Sequence, residues 1–543
     1  MTTGIFTKAM PAALSIYLLG TATAIGQWSN AARLNDAAHI ECKTPRIAGS
    51  KYGGFHVVYS AGAARYCRYS GSPQPIRTIF TEMNFNNWVA EALNGDVHVA
   101  FENWAGSNAP NIGWSRSTDG GVTFSPVVNI SASSGCAKHP HLAAFGTGTS
   151  ADVVMSYYRS GTTGNCNKQL YYTRFNGSSW SAESSIGSTS LSEYDCFGMA
   201  RSPLNGSIYR SFDPNQTSMR MRQYMGSWGA EIPLVSGMWP VRQHIAINDS
   251  GQVMLMWDSD SQIYSMLYTP GVGPGPMKLV STGGYSGSCN VCAIPGTNKF
   301  YMVVGKDTNR VVGRRWIGDN WLAEEESVSA GLAGAFTVDP AVACDSAGAL
   351  YCVWEYWGND KPQIYYSTLT TPSIVRTRTQ FNRIGYVNGR VSDDTFLISN
   401  GGAGTLNYTI TSNAAWVAPV PASGSATRAQ DNNITLRYNL AGLVPGSYNA
   451  TITIAAAGAS NSPKTILVSL QVLPLKQDFD GDGDVDLDDF SRFQSCFNGP
   501  NRAPPAVGGC SAADFDGDAD VDLDDFSTFQ MCYNGPNRVP ACM

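Results

Sequence analysis

One phrase recurs along the first two thirds of this chain. A short strand leads through a turn of Gly, Asn, Asp or Ser into a strongly apolar second strand. It reads TPRIAGSKYGGFHVVYS from Thr44, WVAEALNGDVHVAFENW from Trp88, HPHLAAFGTGTSADVVMSYY from His139 and DCFGMARSPLNGSIYRSF from Asp195. It returns as RQHIAINDSGQVMLMW from Arg242, CNVCAIPGTNKFYMVV from Cys289 and DPAVACDSAGALYCVWEYW from Asp339, seven copies at intervals of about 45–55 residues. Most copies add a third strand and a short fourth one led by an aromatic residue, as in LYYTRFNGSSWSAESSIG. Four short strands at a period of this size read as blades of a β-propeller. We expect seven blades, with six as the alternative count.

Each blade buries its faces only against its neighbours, so the ring has to close. The seventh copy, ending IYYSTLTTP, lacks its aromatic-led strand, and the missing phrase stands near the N-terminus as QWSNAARLND from Gln27. That segment is expected to supply the outer strand of the last blade. The sequence gives no clear aromatic lead to the fourth strands of blades one and five.

Ser117 to Phe124, STDGGVTF, fits the Asp-box pattern S-x-D-x-G-x-x-[WF]. Its Asp119 can cap a tight hairpin that Gly121 permits. On this motif and the repeats, the body resembles the sialidase/BNR-repeat propeller superfamily over about 330 residues. Asp-boxes of that family are structural, so the likeness implies fold. Its sialidases use an arginine cluster, a Tyr–Glu nucleophilic pair and an Asp acid/base. Arg46 stands where they carry the Arg of an early R-I-P motif, with Ala48 in place of the Pro, and no later pair of arginines completes the cluster.

The inner strands share the form x-[IL]-A, and x is Arg46, His141 and His244 in blades one, three and five. Equivalent positions on inner strands form a ring around the propeller axis. His139, Asp195, Arg242 and Asp339 lie at or near the starts of the same strands. The candidate site is therefore Arg46, His139, His141, Tyr158, Asp195, Arg242 and His244. His and Arg would neutralise a uronate carboxylate, and Tyr158 would move a proton. Some polysaccharide lyases with seven-bladed propellers work in this way, a fold-level analogy. The other reading has these residues joining blades. His56 and His98 recur at matching second-strand positions and read as structural. Trp88, Trp104, Trp114, Trp239, Trp354 and Trp357 are candidates for stacking on sugar faces or for packing between blades.

The period breaks after Pro372. TLNYTITS, NITLRYNL, GSYNATITIAAA and KTILVSLQVL then alternate apolar and polar residues, the signal of an antiparallel β-sandwich. FLISNGGAGTLNYTI, Trp416 and VPGSYNATITI make this region resemble the BACON or related immunoglobulin-like modules of secreted carbohydrate-active proteins. Spacer and glycan-binding module are both open for it.

Near the C-terminus DFDGDGDVDLDDFSRFQSCFNGPN is repeated as DFDGDADVDLDDFSTFQMCYNGPN. Positions 1, 3, 5, 7, 9 and 12 are Asp478, Asp480, Asp482, Asp484, Asp486 and Asp489 in the first loop, and Asp514, Asp516, Asp518, Asp520, Asp522 and Asp525 in the second. This is the EF-hand spacing, in which alternate oxygens wrap one Ca²⁺ and position 7 offers its backbone carbonyl. Two calcium ions are expected, the second bound more weakly because Ala519 replaces the Gly483 of the first loop. A helix should follow each loop, with apolar stripes Leu487, Phe490, Phe493, Phe497 and Leu523, Phe526, Phe529, Tyr533. Asp at position 12 and one helix per loop make the tail resemble a type I dockerin. The resemblance implies docking onto a cohesin-like or cell-surface protein.

Charge follows this division. Residues 478–543 hold 14 of the 42 acidic residues and three Arg, so the tail carries −11 and the rest about +5. No basic stripe suited to nucleic acid is present, and no apolar run after the N-terminus is long enough to span a membrane. The N-terminus reads as a secretory signal: Lys8, the apolar stretch Pro11–Leu19 and the small-x-small Ala22-Thr23-Ala24. Thirteen cysteines suit an oxidising compartment. The expected pairs are Cys42–Cys67, Cys136–Cys166, Cys344–Cys352, Cys496–Cys510 and Cys532–Cys542. Of the remainder, the Cys289–Cys292 pair is expected to bond Cys196.

The expected layout is a signal (1–24), a sialidase-like propeller (25–375), an immunoglobulin-like sandwich (376–474) and a dockerin-like tail (475–543). It is the layout of an exported carbohydrate-binding or carbohydrate-active protein. If it is an enzyme, a polysaccharide-degrading glycosidase or lyase is expected. A surface interaction protein without a glycan ligand is the third reading.

Overall fold

The computed structural model describes residues 28–35, 41–82, 84–105, 109–131, 136–160, 169–188, 198–281, 285–306, 309–332, 336–358, 361–506, 509–538 and 540–542. The expected signal segment, Asp195, Cys166 and Cys196 lie outside them.

Among the described residues, seven antiparallel sheets of four or five strands succeed one another from Ala32 to Leu369. The apolar second strands, such as Phe55–Ser60, Val97–Asn103 and Val253–Ser259, are buried at every position. A strand buried on both faces needs a sheet packed against each, and the sheets stack side by side in a propeller-like ring. Each first strand touches the first strand of the next sheet, and Phe336–Cys344 returns to touch Lys43–Gly49. The N-terminal segment closes the ring as expected: Ala32–Arg33 pairs with Gln363–Leu369, placing Ala32 opposite Tyr366. Trp28, 3% exposed, anchors it by donating its indole N–H to the Tyr301 hydroxyl at 3.0 Å. The fourth strands that lacked an aromatic lead are Arg77–Phe80 in the first sheet and Gly273–Pro274 with Lys278–Ser281 in the fifth.

The first strands share a distortion. The register slips between Lys43 and Arg46, Phe85 and Trp88, Lys138 and His141, Val241 and His244, and Val338 and Ala341. At each slip one residue takes a positive φ: Thr44 (49°), Asn86 (47°), His139 (55°), Arg242 (49°) and Asp339 (50°). Bulges of this kind re-aim side chains, and here Asn86, His139, Arg242 and Asp339 line one cavity.

Residues 374–473 form two facing sheets over one apolar core that includes Phe396, Ile452 and Val468. One pairing departs from the antiparallel expectation: Gln380–Tyr386 runs parallel to Lys464–Leu473. The chain enters through Ile374–Arg376 in one sheet and crosses to the other, so it meets the last strand in the same direction. The sandwich is joined to the sixth sheet of the ring. Arg315, 3% exposed, pairs with Glu326 and donates to the Gly401 carbonyl at 2.7 Å, while Glu324 accepts from Arg376 at 3.0 Å and Lys464 at 2.5 Å.

In the tail, Leu487–Cys496 (α1) and Leu523–Cys532 (α2) each open on a capping box, Asp486 with Asp489 and Asp522 with Asp525. Phe493 and Phe529, both 1% exposed, stack at 5.2 Å between ring centroids. The expected stripes hold only in their middle: Leu487 and Leu523 are 65% and 69% exposed, because the first helical residue faces away from the small core.

The disulfides Cys496–Cys510 and Cys532–Cys542 form as expected. Cys136 is disulfide-bonded, and its expected partner Cys166 is outside the described residues. The Cys344–Cys352 bond does not form. Cys344 lies opposite Leu350 and Cys352 opposite Val342, so the two are diagonal neighbours, about 7–8 Å apart and beyond disulfide reach. Nor does a bond join Cys42 to Cys67, whose Sγ lies 3.2 Å from the Gln74 carbonyl. Cys289 and Cys292 are buried thiols rather than partners of Cys196.

Candidate functional site

Six of the seven first strands line a cavity of about 270 Å³ at the centre of the ring. Arg46, His139, His141, Arg242 and His244 all line it, together with Asp339. The aligned x-[IL]-A positions thus do form one ring, which Trp88 and Asn290 extend in the second and sixth sheets. Gly198 holds the same position in the fourth, where a Cβ would lie 2.8 Å from the Ile245 nitrogen. Tyr158, 2% exposed, sits behind His139, ring centroids 6.3 Å apart, with the Arg210 guanidinium 5.9 Å over its ring. Asp195 is outside the described residues.

Trp88 stacks on His141 at 3.7 Å between centroids, and its indole N–H donates to the Leu142 carbonyl at 3.0 Å. Burial holds the His141 pKa well below the usual value, and nearby Arg210, Arg46, His244 and His139 push the same way. His141 is therefore neutral near neutral pH. A neutral His141 does not supply the positive charge expected of it; Arg46 and Arg242 are part-exposed cations in the cavity wall. His244 Nδ1 lies 3.0 Å from Asn290 Nδ2.

Behind this ring stands a second one that sequence reasoning missed. In three sheets the residue two places beyond the partner of the ring position meets the bulged residue of the first strand. The pairs are Asn86 with Glu102, His139 with Tyr158 and Arg242 with Asp258; in the seventh sheet Glu355 stands opposite Val338, next in the chain to the bulged Asp339. Asn86 Nδ2 donates to Glu102 Oε1 at 2.7 Å, and Arg242 Nη1 lies 3.4 Å from Asp258 Oδ2. Glu102 also accepts the backbone N–H of His139 at 2.9 Å and the Trp104 indole at 3.2 Å. Glu355 repeats this with the backbone N–H of Thr44 at 2.5 Å and the Trp357 indole at 3.2 Å. The usable signal was an acid closing an apolar strand two residues before Trp, FENW and WEYW.

The other suggested aromatics divide. Trp354 is fully buried and Trp114 8% exposed, so both pack between sheets, whereas Trp239 is 45% exposed. His56, with Nδ1 2.6 Å from the Tyr66 hydroxyl, and His98, accepting from Trp114 at 3.2 Å, are structural.

The acidic loops place oxygens close together. One oxygen each from Asp478, Asp480 and Asp489 lies within 4.8 Å of the others, and so do those of Asp484, Asp486 and Asp489; the second loop repeats both groups with Asp514, Asp516, Asp520, Asp522 and Asp525. Asp482 and Asp518 stand outside these groups and accept from the N–H of Asp484 and Asp520. Asp489 and Asp525 are fully buried. Burial pushes the Asp489 pKa up to about 6. Such an all-oxygen donor set, with buried Asp489 or Asp525 at its inner side and more open carboxylates around it, fits a hard divalent cation. The Asp484 carboxylate reaches across to the Asn537 N–H, and Asp520 reaches Asn501 in return.

Among the described residues, no helix is long and apolar enough to cross a membrane. No curated protein matches the chain. Solved structures similar to it include a six-bladed propeller lectin from Aleuria aurantia, at 14% identity and a TM-score of 0.37 over 55% of this chain and 98% of that one. A Trypanosoma rangeli sialidase is 9% identical, TM-score 0.36, over 54% and 56%. A protein of unknown function from Dyadobacter fermentans is 12% identical, TM-score 0.38, over 63% and 98%. Residues 375–472, the sandwich, match the family described as the viral BACON domain.

Proposed function

We propose that this chain is an exported glycan-binding protein whose axial cavity takes an acidic sugar unit. In this reading residues 1–24 direct export, the seven sheets within 25–375 are seven propeller blades, 376–474 is a spacer, and 475–543 is a dockerin-like anchor. The observation that carries the proposal is the meeting of Arg46, Arg242, His244 and the Trp88–His141 stack in one cavity of about 270 Å³. Two arginines supply charge for a carboxylate, the imidazoles of His141 and His244 offer hydrogen bonds to hydroxyls, and an indole borders the same space.

The anchor reading rests on the paired loops. Asp478, Asp480, Asp482, Asp486 and Asp489 would hold one Ca²⁺ with the backbone carbonyl of Asp484, and Asp514, Asp516, Asp518, Asp522 and Asp525 a second with that of Asp520. Bound calcium would neutralise the crowded carboxylates. Leu487, Leu523 and Met531, all more than half exposed, give the tail an apolar surface for a cohesin-like or cell-surface partner.

Calorimetry with trigalacturonate and a neutral trisaccharide tests the cavity. The acidic sugar should bind and the neutral one should not. Arg46→Ala and Arg242→Ala should each weaken binding about tenfold or more. Binding that ignores both substitutions would remove the cavity from the account. Product analysis of the same mixtures separates binding from glycosidase or lyase action.

A further inference from the structure

Two junctions between neighbouring sheets are built alike. Each starts from a glutamate near the end of a second strand and the Trp two residues on, Glu102 with Trp104 in the second sheet and Glu355 with Trp357 in the seventh. Both glutamates accept their indole N–H at 3.2 Å. Both also accept the backbone N–H of the bulged residue in the next sheet, His139 at 2.9 Å and Thr44 at 2.5 Å. Immediately before that bulged residue stands a lysine, Lys138 or Lys43, with its ammonium 5.6 Å over the same indole. The bulges of the second, fifth and seventh sheets follow Phe85, Val241 and Val338 instead and carry no such cation.

The glutamates are 2% and 4% exposed, and N–H donors of the protein take up their oxygens. The lysines differ. Among the described residues neither ammonium has a carboxylate within ion-pair reach. Contact with an indole holds an ammonium in place while its three N–H donors stay available, so an anion that binds there costs little ordering of the side chain. Lys43 is exposed, and beside the other lysine Phe85, 45% exposed, sets its ring edge-on to Trp104 at 6.1 Å.

Both lysines belong to strands that reach the axial cavity. Lys43 precedes Arg46 by three residues and Lys138 precedes His141 by three, a span of about 10 Å along a strand. Around the ring, Arg46 and Trp88 of the first and second sheets lie between the two junctions. We infer that the cavity takes an internal unit of an acidic polysaccharide, and that Lys43 and Lys138 receive carboxylates of neighbouring units of the same chain. Outside the acidic tail the protein carries about +5, which suits such a polyanion. This inference rests on the acidic-sugar reading of the cavity and narrows it from a single acid to a chain of uronates.

Calorimetry on the full chain with galacturonate, trigalacturonate and a neutral trisaccharide tests it. Trigalacturonate should bind about tenfold or more tighter than galacturonate, and the neutral sugar should not bind. Lys43→Ala and Lys138→Ala should each weaken trigalacturonate about fivefold, flatten its salt dependence, and change galacturonate by less than about twofold. Lys43→Gln and Lys138→Gln remove the charge but keep a side chain over the indole, and should match the alanine variants in binding and the wild type in melting. Lys51→Ala is the control. Lys51 also lies over an aromatic ring, Tyr52 at 4.9 Å, but in the turn that follows the first strand, so its loss should change neither sugar. Equal affinity for one and three units, or Lys43 and Lys138 variants that bind trigalacturonate like the wild type, would overturn the flanking contacts and leave the cavity reading standing. No trigalacturonate binding, or binding that ignores Arg46→Ala and Arg242→Ala, would overturn the cavity reading and this inference with it.

Discussion

Position 6 of the two acidic loops makes the same backbone turn with different residues, Gly483 at φ 94° and Ala519 at φ 73°. A left-handed conformation costs an L-residue about 1–2 kcal/mol, so the second loop forms against a penalty the first avoids. Ala519→Gly should stabilise the tail by about 1 kcal/mol and tighten calcium at the site proposed for the second loop, read by calorimetric titration and melting of the full chain. Gly483→Ala should do more harm, since its Cβ would lie 2.3 Å from Asn388 Nδ2, which bonds the Gly483 carbonyl at 2.9 Å. Glu355 gives a prediction of the opposite kind. Its folded pKa, pushed up to about 7, lies above that of the unfolded chain. Folded protein therefore holds a proton that unfolded chain releases, and this contribution to stability is full below the unfolded value and lost as pH rises through about 7. The melting temperature should fall across that window, and fall less in Asp339→Asn. These positions mark a limit of sequence reading. The bulges at Thr44, Asn86, His139, Arg242 and Asp339 carry positive φ without a single Gly; Asn, His and Asp tolerate it best, but the Thr and Arg give no such signal.

Among the elements, repetition made strands and their order legible. The shared x-[IL]-A form brought Arg46, His141 and His244 into one ring because equivalent strands meet the axis at one height. Trp88 was harder to place there, since an indole at the same position broke the polar pattern. Cysteine pairing was read well in the tail, where two copies agree, and poorly between Cys344 and Cys352, where sequence distance says nothing of strand register. The Asp-box forms as its pattern implies. Asp119 accepts the N–H of Val122 at 3.0 Å and of Thr123 at 2.9 Å, and a Cβ on Gly121 would lie 1.9 Å from the Tyr66 hydroxyl of the preceding sheet. The closing strand is only two residues long, so its hold depends on what flanks it. Trp28→Ala should cost about 3–5 kcal/mol in denaturant unfolding of the full chain. An unchanged midpoint would mean that the closure does not stabilise the ring.

On the scale of the molecule, the buried Arg315–Glu326 pair and the Glu324 contacts fasten the sandwich to the ring, so the two should unfold together. The tail has its own core around Phe493 and Phe529. It should melt separately, and chelation should lower that transition while leaving the ring unchanged. Alternation and spacing made all three regions visible in the sequence. The join between ring and sandwich was not, because its partners Arg315, Glu326 and Gly401 come from distant segments that no local pattern connects. The central claim is that the axial cavity receives an acidic sugar, and a crystal of the full chain soaked with trigalacturonate tests it most directly. Density for a sugar carboxylate between Arg46 and Arg242, with a hydroxyl against Asp339, is the predicted result. An empty cavity with sugar held elsewhere, as in the aromatic groove at Trp114 and Trp180 on the rim, would contradict it.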